Sequence, residues 1–452
     1  MGTVMDLAER MWRGEISTDD HHPWTPLGDI EEIADRTIFY CSFANVTAFE
    51  TDGGLVLIDT GAFFNQRQTF EAIRSWSKAR LDTAVYTHGH VDHVFGVPPF
   101  AEEARERGWP GPRVIGHEAV PARFQRYILT AGYNSIINTR QFGADPLRST
   151  SGDMAPRRVI QWPTEYTYPD TTYAHSLVVT VGGERFELYH DRGETDDHTW
   201  VWVPGRKVLC PGDLFIWAVP NAGNPQKVQR YPLDWARALR KMAALEAEVL
   251  SPGHGVIVVG RERVRQALTD TAGFLESLHD QTVALMNQGA TLDTILHTVR
   301  PPAGLTGRPY LQPVYDEPEF IVRNIWRLYG GWYDGTPSQL KPAPRAQQGA
   351  EIARLAGGVR PLVERARQLM VDEDLAMASH LVDWAMAADP GNAEVQSVRA
   401  YVYSRRANES RATMTRGIFR AAAWDSRAAL ENLKRRDQAG QAETSDSDKG
   451  PD

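Results

Sequence analysis

The chain has 452 residues, enough for two domains, and its 42% hydrophobic and 24% charged content is ordinary for a soluble globular protein. A net charge of −9 argues against a general nucleic-acid binder. Two cysteines, Cys41 and Cys210, exclude a disulfide framework and read as buried packing residues, and no stretch approaches the ~20 apolar residues needed to span a bilayer.

Residues 1–28 read as a leader. Its first fifteen residues are polar without a continuous apolar core, so no secretory signal is visible and a cytoplasmic location is expected. His21 and His22 lie beside Pro23; they could reach over a functional site, but exposure is the favoured expectation. Residues 37–43, 46–50 and 55–59 read as successive strands separated by turn residues, and Asp59-Thr60-Gly61 ends the third. Residues 67–80 have helical spacing and lead into the strand-like run 81–86.

The most informative segment follows: Thr87-His88-Gly89-His90-Val91-Asp92-His93. Three histidines and an aspartate stand within six residues at the end of an apolar strand, a rigid place to mount ligands. His88 and His90 alternate around a glycine, so both imidazoles can face one metal. Asp92 and His93 are adjacent and more naturally serve a second. Imidazole and carboxylate together suit zinc or a neighbouring first-row metal.

The His-x-His-x-Asp-His pattern resembles the metallo-β-lactamase superfamily of binuclear metal hydrolases. The resemblance implies further ligands from later strand ends, and the chain offers Gly193-Glu194-Thr195, Cys210-Pro211-Gly212-Asp213 and Ser251-Pro252-Gly253-His254. Asp213 matches the family's bridging carboxylate, and His254 its last histidine. Asp59 is then a structural carboxylate behind the metal loop. Most of the superfamily has His where Glu194 stands, and a Glu there resembles the alkylsulfatase branch. Asp213 departs in turn, because that branch uses Glu as the bridge. The alternative is a surface Glu194 with His198 as the ligand; otherwise His198 lies behind the ligands or lines the pocket. His117 is expected to line the pocket and His190 to stand behind the ligands. The implied centre is His88, His90 and Glu194 on one metal, Asp92, His93 and His254 on the other, and Asp213 between. Such a pair makes hydroxide available at neutral pH, with Asp92 placed to orient it or take its proton. Two divalent ions are therefore expected, zinc first, with manganese or iron as alternatives.

The second half strengthens the branch assignment. Tyr329-Gly330-Gly331-Trp332-Tyr333-Asp334-Gly335-Thr336-Pro337 is similar to the hallmark of the alkylsulfatase dimerisation domain. Residues 320–328 have helical apolar spacing, and the following glycines end the helix. Core or interface packing and substrate-tail contact compete for the aromatic residues here, and packing is favoured because aromatics dominate cores and interfaces. Residues 373–388 and 392–407, joined by Asp389-Pro390-Gly391-Asn392, look like one tetratricopeptide-type hairpin.

The expected fold is α+β: an αββα metallo-β-lactamase sandwich over 29–262, an all-α dimerisation domain over 263–435, and a disordered tail over 436–452. The resemblance stops near Leu433. Longer alkylsulfatases continue into a sterol-carrier-like domain, so long-chain detergents are not the first substrates expected here. Asn138 and Arg140, then Lys227 or Arg230, are the candidate contacts to the substrate anion. A lysine there specifies geometry less well than an arginine, which binds bidentately. The implied activity is hydrolysis of an alkyl sulfate, a small anionic ester, by a homodimer. A metallohydrolase of a phosphodiester or lactone is the nearest alternative. A scaffold with structural metals is the third, and a bridging carboxylate argues against it.

Overall fold

Period-two alternation of apolar residues builds two sheets. In the computed structural model, which describes residues 2–143 and 159–447, the first sheet has seven strands side by side in chain order. These are β1 (Ile30–Ala34), β2 (Thr37–Tyr40), β3 (Val46–Thr51), β4 (Gly54–Ile58), β5 (Leu81–Val85), β6 (Arg113–His117) and β7 (Thr171–Tyr173). Pairing is antiparallel from β1 to β4 and parallel from β4 to β7. The second sheet also follows chain order: β8 (Ser176–Val181), β9 (Glu184–His190), β10 (Thr199–Val203), β11 (Val208–Gly212), β12 (Val249–Pro252) and β13 (Val258–Val259). Only the β11–β12 pair is parallel.

Strand β4 shows how the layers form. Val56 and Ile58 join the core that contains Phe49, Phe186, Leu188 and Trp200, whereas Leu55 and Leu57 pack on the other face with Ile73 and Phe100. Successive side chains point to opposite faces, so a continuous apolar run is buried on both. Each fully buried aliphatic side chain contributes about 1.5–3 kcal/mol. Phe49 and Phe186 meet edge to face at 5.4 Å, joining the two sheets. Helices Gln66–Trp76 and Val97–Arg107 cover the first sheet, and Pro232–Ala243 and Arg261–Asn287 the second. This is the expected αββα sandwich.

The described residues form two packed units. The first comprises Met1–Asn134 and Gln161–Gly335, the second Ser135–Ile160 and Thr336–Asp452. Secondary structure turns all-helical at Arg261, but the helices up to Pro318–Gly330 pack with the sheets through Leu268, Leu275, Ile321 and Ile325. In the second unit, helices Val359–Val371, Leu375–Ala388 and Ala393–Glu409 share a core of Leu362, Ala366, Val382 and Val398. Asn392 caps the last of these, accepting from the N–H groups of Glu394 and Val395.

Two expectations are corrected. Backbone is helical from Thr413 to Ser447, where a disordered tail was expected from 436. Ala, Gln and Glu there extend a helix already nucleated, which costs far less than starting one. Residues 448–452 lie outside the described residues. His22 is buried rather than exposed. The leader holds an amphipathic helix, Thr3–Trp12, whose Val4, Leu7, Ala8 and Met11 are buried, and the chain after it lies against the sheets' loops. No described helix is long and apolar enough to cross a membrane.

Candidate metal centre

The ligand-bearing loops leave the C-terminal ends of five strands at one edge of the sandwich. Asp59 follows β4, the His88–His93 loop follows β5, Glu194 follows β9, Asp213 follows β11 and His254 follows β12. Asn45 ties the two sheets together here, its amide donating to Pro252 O at 3.0 Å and Gly255 O at 2.9 Å. Two glycines permit the crowding. Gly212 has φ +54, with Thr87 and His198 beside it, and a Cβ on Gly253 would collide with Asp213 Oδ1.

The structure gathers the sequence-derived residues into two adjoining groups. His88, His90, Glu194 and Asp213 place one donor atom each within 4.8 Å of one another, and so do Asp92, His93 and His254. Glu194 Oε2 is 3.5 Å from both His88 Nε2 and His90 Nδ1. Asp213 reaches both groups: Oδ1 is 3.4 Å from His93 Nε2, and Oδ2 is 3.4 Å from His254 Nε2 and 3.8 Å from His88 Nε2. Asp92 Oδ2 is 3.4 Å from His254 Nε2 and 3.7 Å from His93 Nε2. Tetrahedral bonds of ~2.0–2.2 Å put neighbouring donor atoms roughly 3.3–3.6 Å apart, so these spacings suit cations between them. Three of the converging atoms, His93 Nε2, Glu194 Oε2 and Asp213 Oδ1, are buried without a hydrogen-bond partner. A buried unsatisfied polar atom costs about 1–3 kcal/mol, and more if charged, which a bound cation would relieve.

Surrounding groups fix which nitrogen faces inward. Asp59 accepts from Thr87 N–H at 2.8 Å, Thr87 Oγ1 at 2.9 Å and His93 Nδ1 at 2.8 Å. A carboxylate only accepts, so His93 Nδ1 carries a proton and Nε2 is the nitrogen turned into the site. With its own proton on Asp59, Thr87 Oγ1 accepts from His88 Nδ1 at 2.9 Å. His254 Nδ1 donates to Phe43 O at 2.6 Å. Such outer partners hold ring and tautomer in the ligating orientation. Asp59 does this from φ +58, a backbone state Asp tolerates better than most residues. Asp59→Asn would set an amide N–H against either His93 Nδ1–H or Thr87 N–H, since both carboxylate oxygens accept. It is expected to weaken metal binding by about 10–100-fold, measured by chelator competition.

Burial, together with the neighbouring His93 and His90, holds His88 well below the usual histidine range; burial, Arg230 and Arg123 do the same to His90. Burial also pushes His93 and His254 down, but Asp213 and Asp92, joined at His93 by Asp59, outweigh it and raise both. Burial pushes Glu194 up against the pull of Arg230, with Asp213 adding to the rise. His88 and His90 are therefore neutral, with His88 Nε2 and His90 Nδ1 2.8 Å apart, while protons on His93 and His254 offset carboxylate charge that divalent cations would otherwise balance.

Glu194 Oε1 is gripped from behind by Asn221 Nδ2 and, at 2.9 Å, by Arg230 Nη1. Arg230, read from the sequence as a candidate anion contact, is thus engaged by Glu194. Lys227 stands 5.3 Å over the Trp162 ring and is pushed down to about 7 by burial and Arg230, against the pull of Asp92 and Glu194. Asn138, buried, and Arg140, half-buried, lie on Ala131–Phe142 in its second-unit part. His198 is buried behind the ligands. Its ring stacks on His88 at 4.8 Å, and its Nε2 donates to Pro211 O at 3.0 Å. His117 is buried and stacks on His190 at 3.7 Å; its Nε2 donates to Ala174 O.

Sequence reasoning missed a buried pair: Arg123 Nε sits 2.5 Å from Asp197 Oδ2, which accepts Gly89 N–H at 3.1 Å and so pins the loop between His88 and His90. A lone Arg on the apolar face of helix Val120–Leu129 was its one sequence signal. It also missed Trp24, which stacks on His254, and Tyr315, which stacks on Trp24.

Residues 40–254 match the Metallo-beta-lactamase superfamily, and residues 291–429 match Alkyl sulfatase dimerisation. A "Linear primary-alkylsulfatase" of Pseudomonas sp. (strain ATCC 19151) is 28% identical over 367 residues, 79% of this chain and 69% of the relative. An "(R)-specific secondary-alkylsulfatase" of Pseudomonas sp is 25% identical over 414 residues, 85% of this chain and 60% of the relative. The solved stereoselective inverting sec-alkylsulfatase Pisa1 from Pseudomonas sp. superposes with a TM-score of 0.78 at 22% identity, covering 88% of this chain and 66% of that one. The chain thus spans roughly two thirds of the length of these relatives, and the structural match bears on the fold.

Proposed function

Residues 40–254 being a metallo-β-lactamase superfamily domain and 291–429 an alkyl sulfatase dimerisation domain, we propose that this hydrolase cleaves alkyl sulfate esters to an alcohol and inorganic sulfate. The observation that carries the reading is Glu194 in the ligand position, held by Asn221 and Arg230, in a chain similar to named alkylsulfatases.

In this reading His88, His90 and Glu194 hold one divalent ion, Asp92, His93 and His254 a second, and Asp213 both. Zinc is the proposed ion, with manganese or iron as alternatives for a donor set of four imidazoles and three carboxylates. When bound, such a pair lowers the pKa of water towards ~7 and neutralises charge on an anionic ester. The chain supplies the rest. Asp92, partly exposed at the mouth of the site, orients the attacking water and accepts its proton. Lys227, pushed down to about 7 by burial and Arg230, is proposed to meet the sulfate group as a point charge, the anion favouring its protonated form. Arg230 anchors Glu194 and offers remaining N–H groups to the same anion. Asn138 and Arg140 remain proposed contacts of the ester. The aromatic residues at 329–333, with Trp332 70% exposed, are proposed to meet a second copy in a homodimer.

The test is sulfate release from a panel of primary and secondary alkyl sulfates by zinc-loaded protein, with His90→Ala as control. Release that vanishes in the variant supports the reading. No release, with cleavage of a phosphodiester or lactone instead, overturns it.

A further inference from the structure

One wall of the centre comes from the leader, which neither family match covers, since these span 40–254 and 291–429. Trp24 is 5% exposed and lies between two rings. Its indole stacks on the His254 imidazole at 4.5 Å and 25°, and on the Tyr315 phenol at 4.0 Å and 24°. The strap is moored on both flanks. Gly255 N–H, next to His254, donates to Pro23 O at 2.8 Å. His22 Nδ1 accepts Trp24 N–H at 3.3 Å, which leaves the proton on Nε2, 3.2 Å from Val314 O.

Behind the site His254 is held by one hydrogen bond, from Nδ1 to Phe43 O, while its Nε2 faces Asp92 and Asp213, each 3.4 Å off. The single bond at Nδ1 does not by itself fix the ring plane, and tilting would swing Nε2 out of the position it shares with those carboxylates. Phe43 touches the ring edge to face at 5.9 Å, so the broad stacked contact is Trp24's. Two aromatic planes in contact resist that tilt in a way a shapeless apolar neighbour does not.

We propose that Trp24 is a positioning residue: its indole, backed by Tyr315, sets the plane of His254, so that cation binding by the Asp92, His93 and His254 group depends on the leader. The inference rests on the two-cation reading of the site.

Chelator-stripped full-length protein is titrated with zinc by calorimetry, and with cobalt followed by its visible absorption, for wild type, Trp24→Phe and Trp24→Leu. Both substitutions keep an apolar side chain, but only phenylalanine keeps a planar ring. Thermal unfolding of each stripped protein checks that the fold survives. The expected result is two equivalents in wild type. Trp24→Leu weakens one equivalent by about 10–100-fold, the scale of losing an outer partner of a ligating histidine. Trp24→Phe stays close to wild type, and the other equivalent is unchanged in both. Leucine binding both equivalents as wild type does, or weakening of both equivalents to the same extent, would overturn the positioning role alone. A wild type that takes up no pair of cations would overturn the reading beneath it.

Discussion

Asp213→Ala is expected to abolish sulfate ester hydrolysis and to cut bound metal from two ions per chain to one or none. Among the described residues, Asp213 is the carboxylate that reaches both ligand groups: Oδ1 faces His93 Nε2, and Oδ2 faces His254 Nε2 of the same group and His88 Nε2 of the other. Burial alone would raise its pKa, yet His254 and His93 hold it well below the usual range, so it stands as an anion at any working pH. Without it, two cations in adjoining groups would face each other with no charge between them. Loss of one preorganised electrostatic group commonly costs 10²–10³ in kcat, and loss of the ions themselves more, so a drop of at least ~10³ is expected. Asp213→Asn, which preserves shape, should keep the fold and lose most of the metal. Elemental analysis beside a sulfate-release assay reads both effects. Wild-type metal content in either variant would contradict the bridging role.

Glu194→Gln is the second large effect, and it separates two functions of one side chain. Oε2 faces His88 and His90, whereas Oε1 neutralises Arg230 at 2.9 Å. The amide fills the same space but has no charge, so the ion held with His88 and His90 loses its anionic ligand. Arg230, 2% exposed, becomes an uncompensated buried cation. Removing one partner of a buried pair typically costs 3–5 kcal/mol, so the midpoint of unfolding should fall by several degrees while activity falls with metal content. A double variant, Glu194→Gln with Arg230→Met, should recover part of the stability but none of the metal. Calorimetric unfolding and metal analysis of both variants test this. Recovery of metal in the double variant would show that Glu194 acts through Arg230 rather than as a ligand.

How much of this was legible in the sequence follows from how local each signal is. The first metal loop is legible because four donors fall within six residues after a strand whose burial on both faces is written in Leu81, Thr83, Ala84 and Val85. The later ligands are single residues at strand ends and become findable only once the first loop suggests a family. Asp59 was readable as a carboxylate at a strand end, but its three hydrogen bonds to Thr87 and His93 depend on β4 and β5 pairing in parallel. Trp24 lies 230 positions before His254 and leaves no periodic trace. His22 looked exposed because Pro23 beside it suggests a loop, and burial by distant segments cannot be seen from composition. The final helix was misjudged for the opposite reason. Polar composition reads as disorder, but a helix already formed extends through Ala, Gln and Glu at little cost.

The most direct test of a two-cation ester hydrolase is a single titration. Stripped protein receives zinc in fractions of an equivalent while sulfate release from a secondary alkyl sulfate is followed at each step. Release that starts near zero and reaches its plateau at two equivalents, with Asp213→Ala flat throughout, is the predicted result. Full activity at one equivalent or none, or an Asp213→Ala curve that follows wild type, would contradict it.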